Sequence, residues 1–394
     1  MPIATPIPTP TPVPTPSATP LAIATDSVFA SIGSGGVDVF SQTGTLTDTF
    51  ATSTGADYVG LDSAANAYIL VTNNFVVTIA RYAIGTNSPN AGYTPTSAMP
   101  QLILVGTNGT LVAAGAGTGG SGNATAIYDI WDPGVTGAPS RTLTYPNETL
   151  GTLGGAVASD GTFYVPYDTA SGQIQYDVIP PGSSTPSRTI AEQIATAGTN
   201  FTPNVMDVAS DGTLYVGEWT YEGNDTNTGL YIYETGGNEL KASSGAPNPT
   251  GLDFDNGGNV YVANSNATLL PDSTLSTDTA HTLSVYAPLG TTPVRSVSSG
   301  LDDPQNLAVD LDGTAYLAEY ENADQAQGSI VVAGPSATAA TTFAGMLEAN
   351  DLVLFDGTRV RSYRPGTARG HSGASRALRL RRTFRRRIGG NRGA

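Results

Sequence analysis

The sequence predicts an all-β fold, a β-propeller of four-stranded blades, and three observations predict it. A short phrase recurs. It reads Asn108-Gly109-Thr110-Leu111-Val112, then Asp160-Gly161-Thr162-Phe163-Tyr164-Val165, Asp211-Gly212-Thr213-Leu214-Tyr215-Val216, Asp312-Gly313-Thr314-Ala315-Tyr316-Leu317 and Asp356-Gly357-Thr358-Arg359-Val360. Looser copies sit at Ala65-Asn66-Ala67-Tyr68-Ile69 and Gly258-Asn259-Val260-Tyr261-Val262. The copies centre on Asn66, Gly109, Gly161, Gly212, Gly258, Gly313 and Gly357, hence 43 to 55 residues apart. That period suits a four-stranded blade better than a helical repeat. No stretch sustains an apolar 3.6-residue period, so almost no helix is expected.

Each unit reads as strands in a fixed order. The chain begins in mid-unit. Ser27-Val28-Phe29-Ala30 matches a second strand, Gly36-Val37-Asp38-Val39-Phe40 a third, and Thr45-Leu46-Thr47-Asp48 a fourth. Residues 22–150 carry the pattern weakly. From Asn204 it is clear: Val205-Met206-Asp207-Val208-Ala209 alternates and stops at Ser210-Asp211-Gly212, a hairpin signal because Gly tolerates positive φ. Leu214-Tyr215-Val216 and Leu230-Tyr231-Ile232-Tyr233 are rich in strand formers, and Leu240-Lys241-Ala242 is a weak fourth strand. The next two units repeat the order, ending at Val294-Arg295-Ser296-Val297 and Thr341-Thr342-Phe343. Asp351-Leu352-Val353-Leu354-Phe355 then supplies a first strand with no partners of its own. It completes the unit left open at the N-terminus, which removes the exposed edges of an open ring. Seven blades follow. Six or eight stay open, eight if Leu21-Ala22-Ile23-Ala24 is itself an inner strand.

The domain reading is a Pro/Thr-rich linker over 1–20, the propeller over 21–363 and an Arg-rich tail over 364–394. Alternating Pro-Thr makes a stiff polyproline II spacer that packs no core. It resembles the stalks of bacterial surface domains. No basic and apolar leader precedes it, and no run approaches the roughly 18 apolar residues of a membrane helix. There are no cysteines, which excludes a disulfide scaffold, thiolate chemistry and Cys-ligated zinc. Placement outside the cell or in the cell envelope, as a monomer, is the expectation.

The formal charge of −16 hides a split. Residues 1–358 hold all 33 Asp and Glu against Lys241, Arg81, Arg141, Arg188 and Arg295, a net −28. Residues 359–394 hold 12 Arg and no acid. The acidic body repels nucleic acid and anionic lipid. Only the tail offers a basic arm for phosphates. Its abrupt composition also fits a disordered appendage, or a stretch read out of frame from a GC-rich gene.

Candidate chemistry is sparse. Of two histidines, His371 lies in the tail and His281 in an expected loop, where a solvated role is the expectation. Walker, dinucleotide and zinc motifs are absent. Oxygen donors at the start of first strands, where the channel opens, are Asp57, Asn204, Asn306 and Asn350, with Asn248 and Asp351 beside them. Such donors suit a hard cation, Ca²⁺ first, though Asn and Asp also simply close turns. No other cofactor is indicated. A second set shares one position three residues past each repeat aromatic: Tyr167, Glu218, Asn264 and Glu319, with Trp219, Tyr221 and Tyr320 alongside. They lead into the connections between second and third strands. Variable loops on a rigid ring are where binding usually sits, and aromatics with carboxylates suit a carbohydrate or a cationic peptide. Trp219 reads first as a hydrophobic cap on its blade.

Asn259-Val260-Tyr261-Val262-Ala263-Asn264, after Gly251-Leu252-Asp253-Phe254-Asp255, is similar to the repeats of NHL-type and SMP-30/gluconolactonase-like propellers. The resemblance covers residues 154–343 well. It implies the propeller fold first. It also implies, as the rival function, a Ca²⁺-dependent lactonase or hydrolase with Glu, Asn and Asp at the channel mouth. Asn204 and Asn306 fit such positions, but the early glutamate is missing and Asp57 is the nearest acid. The leading expectation is a non-enzymatic binding or scaffolding module for a protein or carbohydrate, acting through one loop face.

Overall fold

The computed structural model describes residues 27–32, 36–50, 56–73, 76–83, 86, 88–96, 100–118, 124–146, 154–169, 174–191, 202–219, 229–235, 240–242, 246, 249–265, 281–319, 329–345, 349–355 and 360–362. Its strands form seven antiparallel blades, with no helix among the described residues. The expected inner strand at Leu21-Ala22-Ile23-Ala24 and the tail beyond Ser362 lie outside these residues.

Blade 1 runs Ala56–Leu61, Ala67–Asn73, Val76–Tyr82 and Ala91–Tyr93. Blade 2 runs Pro100–Val105, Leu111–Thr118, Ala124–Trp131 and Arg141–Pro146. Blade 3 runs Ala156–Val157, Phe163–Asp168, Ile174–Ile179 and Arg188–Ala191. Blade 4 runs Thr202–Val208, Leu214–Trp219, Gly229–Tyr233 and Leu240–Ala242. Blade 5 runs Pro249–Phe254, Val260–Asn264, Thr282–Tyr286 and Pro293–Val297. Blade 6 runs Pro304–Val309, Ala315–Glu319, Ser329–Ala333 and Thr341–Gly345. Blade 7 takes its first strand, Ala349–Phe355, from the C-terminal side. Its others, Ser27–Ile32, Gly36–Ser41 and Leu46–Phe50, come from the N-terminal side.

The recurring phrase is the turn between first and second strands, and each residue in it has a local task. The glycine sits at positive φ (Gly109 87°, Gly161 90°, Gly212 85°, Gly313 88°), a region costly for a Cβ. The acid before it accepts the N–H two residues on, as in Thr162 N to Asp160 Oδ1 at 2.8 Å and Thr213 N to Asp211 Oδ1 at 2.9 Å. The aromatic two or three residues later is buried. Tyr68 and Tyr261 donate their hydroxyls to the turn carboxylates of Asp62 and Asp255 at 3.1 and 3.3 Å. Burial first, then those carboxylates, raises both phenols, that of Tyr261 to about 12.

Both faces of every blade are packed. Apolar clusters fill each junction. Tyr68, Leu70 and Ile79 meet Ile103 and Val105 between blades 1 and 2. Phe29 meets Val59 and Leu61 between blades 7 and 1, and Val28 and Ala30 meet Tyr316 and Ile330 between blades 6 and 7. Burial of this apolar surface, at about 25 cal/mol per Å², is what holds the ring.

The ring closes as expected. Ser27–Ile32 pairs with Ala349–Phe355, with Phe29 opposite Val353. One strand departs from the repeat. Val360–Ser362 follows the last Asp-Gly-Thr turn, so it corresponds to a second strand. That edge of Ala349–Phe355 is held by Ser27–Ile32, and Val360–Ser362 pairs with the other edge instead. It lies inside the ring, against the first strands of blades 1 and 6.

Candidate functional site

The strands give the ring two ends. At the turn end lie the Asp-Gly-Thr turns. At the mouth end second strands finish and first strands begin, so the sequence candidates among the described residues belong there.

In six blades the first strand carries one extra residue against the second. The ladder slips at Asp57, Gln101, Asn204, Thr250, Gln305 and Asn350. Each lies three residues before the ladder partner of Tyr68, Val112, Tyr215, Tyr261, Tyr316 or Phe29. A bulge ends regular pairing, and these polar residues take one equivalent backbone position near the mouth-end start of each first strand. Asp57, Asn204 and Asn350 are three of the four expected oxygen ligands; their backbones are described, their side chains are not. The fourth, Asn306, follows the bulge, is buried, and its Oδ1 accepts the N–H of Leu307 at 2.6 Å. Thr250, which residue type alone did not flag, donates its hydroxyl to Pro304 O at 2.5 Å, tying blade 5 to blade 6. Asn248 lies outside the described residues. Among those described, no three His, Asp or Glu side chains converge as a metal-ligand group.

The second set shares a register position, as its spacing predicts, and the position points between blades. Side chains alternate along a strand. Three residues past the repeat aromatic therefore means the opposite face, against the preceding blade. Tyr167 stacks on Tyr145 of blade 2, with centroids 5.0 Å apart, and donates its hydroxyl to Gln175 Oε1 at 2.6 Å. Glu319 is buried, and its Oε1 accepts the N–H of Asp302 at 2.8 Å. Asn264 is fully buried, with 0 % of its surface exposed. Glu218 and Trp219 end a second strand, but their side chains are not among those described, and Tyr221 and Tyr320 lie outside the described residues.

Blade 5 gathers the most unusual chemistry. Asn264 Nδ2 donates to the carbonyls of Val262 and Thr282 at 3.2 and 3.4 Å and to Thr282 Oγ1 at 3.0 Å. Those carbonyls accept only, so the amide has one orientation. Its Oδ1 is buried without a hydrogen-bond partner among the described residues. On the other face of the same hairpin, Ser265 Oγ donates to Asp303 Oδ1 of blade 6, a short bond between two buried groups. Asp303 takes φ 79°, a left-handed conformation in which a non-glycine residue is strained. His281 stands across from Ser265 if the register of Asn264 with Thr282 is carried one residue further. It corrects the expectation of a solvated loop residue: only 4 % of it is exposed, and its Nδ1 is buried with no partner among the described residues.

Charge is segregated along the ring axis. Arg141, Arg188, Lys241 and Arg295 occupy one register position on four outer strands, opposite Ile130, Val178, Ile232 and Val285. Two strands inward lie Val112, Tyr164, Tyr215 and Tyr261, next to the turn end. The fifth cation, Arg81, pairs directly with Tyr68. Arg295 sits 5.8 Å from the Tyr261 ring centroid and donates to the carbonyls of Gly334 and Ala337. Arg141 bridges to Asp132 at 2.6 Å. Every Lys and Arg of the acidic body is thus placed toward the turn end. By sequence, the connections from second to third strands and from fourth strands to the next blade hold acids such as Asp302 and Asp303, and no Lys or Arg.

No protein-family model matches the chain, and no curated protein is similar to it in sequence. Solved structures share its fold. A putative 6-phosphogluconolactonase of Bacteroides fragilis is similar at TM-score 0.57 and 14% identity, over 85% of this chain and 99% of that one. Hydrazine synthase of Kuenenia stuttgartiensis is similar at TM-score 0.54 and 16% identity, over 76% and 90%. The WD40 propeller domain of Doa1 is similar at TM-score 0.51 and 9% identity, over 81% and 93%. Identities this low carry the seven-bladed fold and nothing finer.

Proposed function

We propose that this propeller is a non-catalytic binding module that uses its mouth end to take a donor-rich ligand, a cationic peptide or a carbohydrate. It is read as a monomer, displayed outside the cell or in the cell envelope on its Pro-Thr segment. One observation carries the binding reading: the two buried polar atoms of blade 5, Asn264 Oδ1 and His281 Nδ1, that lack a partner among the described residues. A buried acceptor left unmade costs about 1–3 kcal/mol. A fold retains that cost where a bound N–H or O–H offsets it. Carboxylates at the same end favour a ligand with positive or hydroxyl-rich character.

The test is titration of Lys/Arg-rich decapeptides and immobilised oligosaccharides against the full chain and Asn264→Leu. The apolar replacement removes the orphan acceptor together with the Nδ2 donor to Val262 and Thr282, so thermal stability falls modestly while the fold is kept, and affinity falls by about tenfold or more. Unchanged affinity in the variant sinks the reading.

A second reading has an observation of its own. The ring of bulges gives Asp57, Asn204 and Asn350 one equivalent position at the channel mouth. That is the arrangement a Ca²⁺-dependent lactonase or hydrolase of the SMP-30 kind would need, and a putative lactonase is among the structural neighbours. Calorimetric titration of Ca²⁺ into chelator-treated protein, repeated on Asn204→Ala and Asn350→Ala, decides it. One stoichiometric site lost in both variants moves the enzyme ahead. Weak binding indifferent to both leaves the bulges as turn formers.

A further inference from the structure

We propose that the turn end of the junction between blades 2 and 3 is a carboxylate-binding site anchored on Arg141. The site is separate from the mouth end and stands whether or not that end binds a ligand.

Blade 2 departs from the repeat here. In blades 3 and 5 the guanidinium of Arg188 or Arg295 faces the repeat tyrosine two strands inward, Tyr164 or Tyr261. It lies close enough to oppose the rise that burial imposes on that phenol. Arg81 does the same to Tyr68 in blade 1. Blade 2 has Val112 in that place, across Ile130 from Arg141. The missing volume comes from the far wall. The residue just before the repeat aromatic faces the preceding blade, and is Leu111, Leu214, Val260 or Ala315 in blades 2, 4, 5 and 6. In blade 3 it is Phe163, which joins Val112 and Ile130 in one buried cluster. A phenyl ring replaces the bulk of the phenol but brings no oxygen.

Arg141 is left with one whole edge unmade. It is buried, and its Nη1 bridges to Asp132 Oδ1 at 2.6 Å. Its Nε and Nη2 are both buried with no hydrogen-bond partner among the described residues. The segments that meet at this end of the junction, 106–110, 132–140, 158–162 and 180–187, are all described. Arg295, by contrast, donates Nη1 to the carbonyls of Gly334 and Ala337, and of its nitrogens only Nη2 is so placed. Nε–H and the neighbouring Nη2–H are the two parallel donors of a guanidinium's side-on fork. A planar group with two acceptor oxygens meets both at once. A carboxylate does so and also carries charge to a buried cation, which is costly to leave incompletely paired. Asp132 holds that cation through one oxygen, and 35 % of its side chain is exposed. The same turn exposes Pro133 and Val135. The ligand class is therefore a carboxylic acid with an apolar body, either a small molecule or the C-terminus of a peptide.

The experiment uses the full chain. Calorimetry titrates in benzoate, benzamide, and an apolar tripeptide with its C-terminus free or amidated. Both carboxylates should saturate one site with Kd on the order of 1 mM or tighter, and both amides should stay silent. Arg141→Lys keeps the charge and loses the fork, so it should weaken benzoate by about tenfold or more. Arg188→Lys, at the equivalent position beside Tyr164, should leave it unchanged. Val112→Tyr with Phe163→Leu rebuilds the arrangement of Tyr164 and Leu214. It gives Arg141 an internal oxygen and should abolish binding with Arg141 still in place. Thermal melting shows that each variant is folded; should the double variant fail to fold, Arg141→Lys and the amides still decide. A free-ended peptide that binds tighter than benzoate names a chain terminus as the source, and the reverse names a small acid; both support the site. No saturable binding of either carboxylate overturns the inference, since the fork then holds only water. Binding unchanged in Arg141→Lys, weakened equally in Arg188→Lys, or retained in the folded double variant overturns it too.

Discussion

At the scale of single residues, the turn of blade 6 pairs two carboxylates where blades 1 and 5 pair an acid with an amide. In blades 1 and 5 the acid before the turn, buried Asp62 or half-buried Asp255, receives a side-chain amide, from Asn66 at 2.8 Å or Asn259 at 2.7 Å. In blade 6 the corresponding acid is Asp310, and position 314 is Thr. A second carboxylate, Asp312, comes beside the first, and both accept the N–H of Thr314 at 2.9 Å. Burial first, then the hydrogen bond shared with Asp312, pushes Asp310 up to about 7, and the same bond lowers Asp312. A folded-state value above the ordinary 3.8 means the folded protein binds this proton more tightly than the unfolded chain. The contribution is full below about pH 4 and lost as pH rises through 7. Asp310→Asn supplies a permanent neutral donor to Asp312. Urea unfolding of the variant is expected to show a gain on the order of 1–2 kcal/mol at pH 8.5 that shrinks toward pH 5. A difference independent of pH would remove Asp310 as the titrating group.

Elements explain what could be read from the sequence and what could not. The Asp-Gly-Thr turn was legible because each residue serves its immediate neighbours. It also makes a graded prediction. Gly212 has φ 85°, and a Cβ there would meet only Thr235 at 3.4 Å, ordinary contact. Ala65 already holds φ 55° at the equivalent position. Gly212→Ala should therefore cost only the left-handed conformation, about 1–2 kcal/mol. At Gly313 the Cβ would also come within 2.4 Å of the Tyr261 hydroxyl, so Gly313→Ala should cost distinctly more. Thermal or urea melts of the pair check this, and equal losses would mean that the Tyr261 ring gives way freely. The bulges were not legible. A one-residue slip imposes no residue type, and Asp, Gln, Asn and Thr all occupy it. Nor could alternation show that Asn264, Glu319 and His281 turn inward. In a half-exposed sheet the off-core face meets water, but in this ring it meets another blade. The shared position of Tyr167, Glu218, Asn264 and Glu319 was readable; the burial of Asn264 and Glu319 was not.

For the whole molecule, closure was legible because the two chain ends supplied complementary parts of one blade. The placement of Val360–Ser362 was not, since Asp356-Gly357-Thr358 matches turns that lead to second strands elsewhere. Ser27–Ile32 wins that edge by what it buries. Phe29, fully buried, joins the blade 1 cluster, and Val28 and Ala30 join that of blade 6. Three apolar residues thus close the seam in both directions, which the short, Arg-bearing Val360-Arg361-Ser362 does not match. The seam is also the one junction whose first and second strands are far apart in sequence, so opening it releases two long chain segments. Phe29→Ala should cost about 3–5 kcal/mol, as should Phe163→Ala at the equally buried site in blade 3. Leu46→Ala, on an outer strand with 52 % of the residue exposed, should stay within about 0.5 kcal/mol. Hydrogen exchange separates the first two. With Phe29→Ala, amides of residues 27–32 and 349–355 should exchange ahead of the rest through local opening of the seam. With Phe163→Ala the loss should be shared by blades whose strands are contiguous. Uniform acceleration in both variants would mean that the ring opens only by unfolding as a whole, and that its closing strand is no weaker than any other.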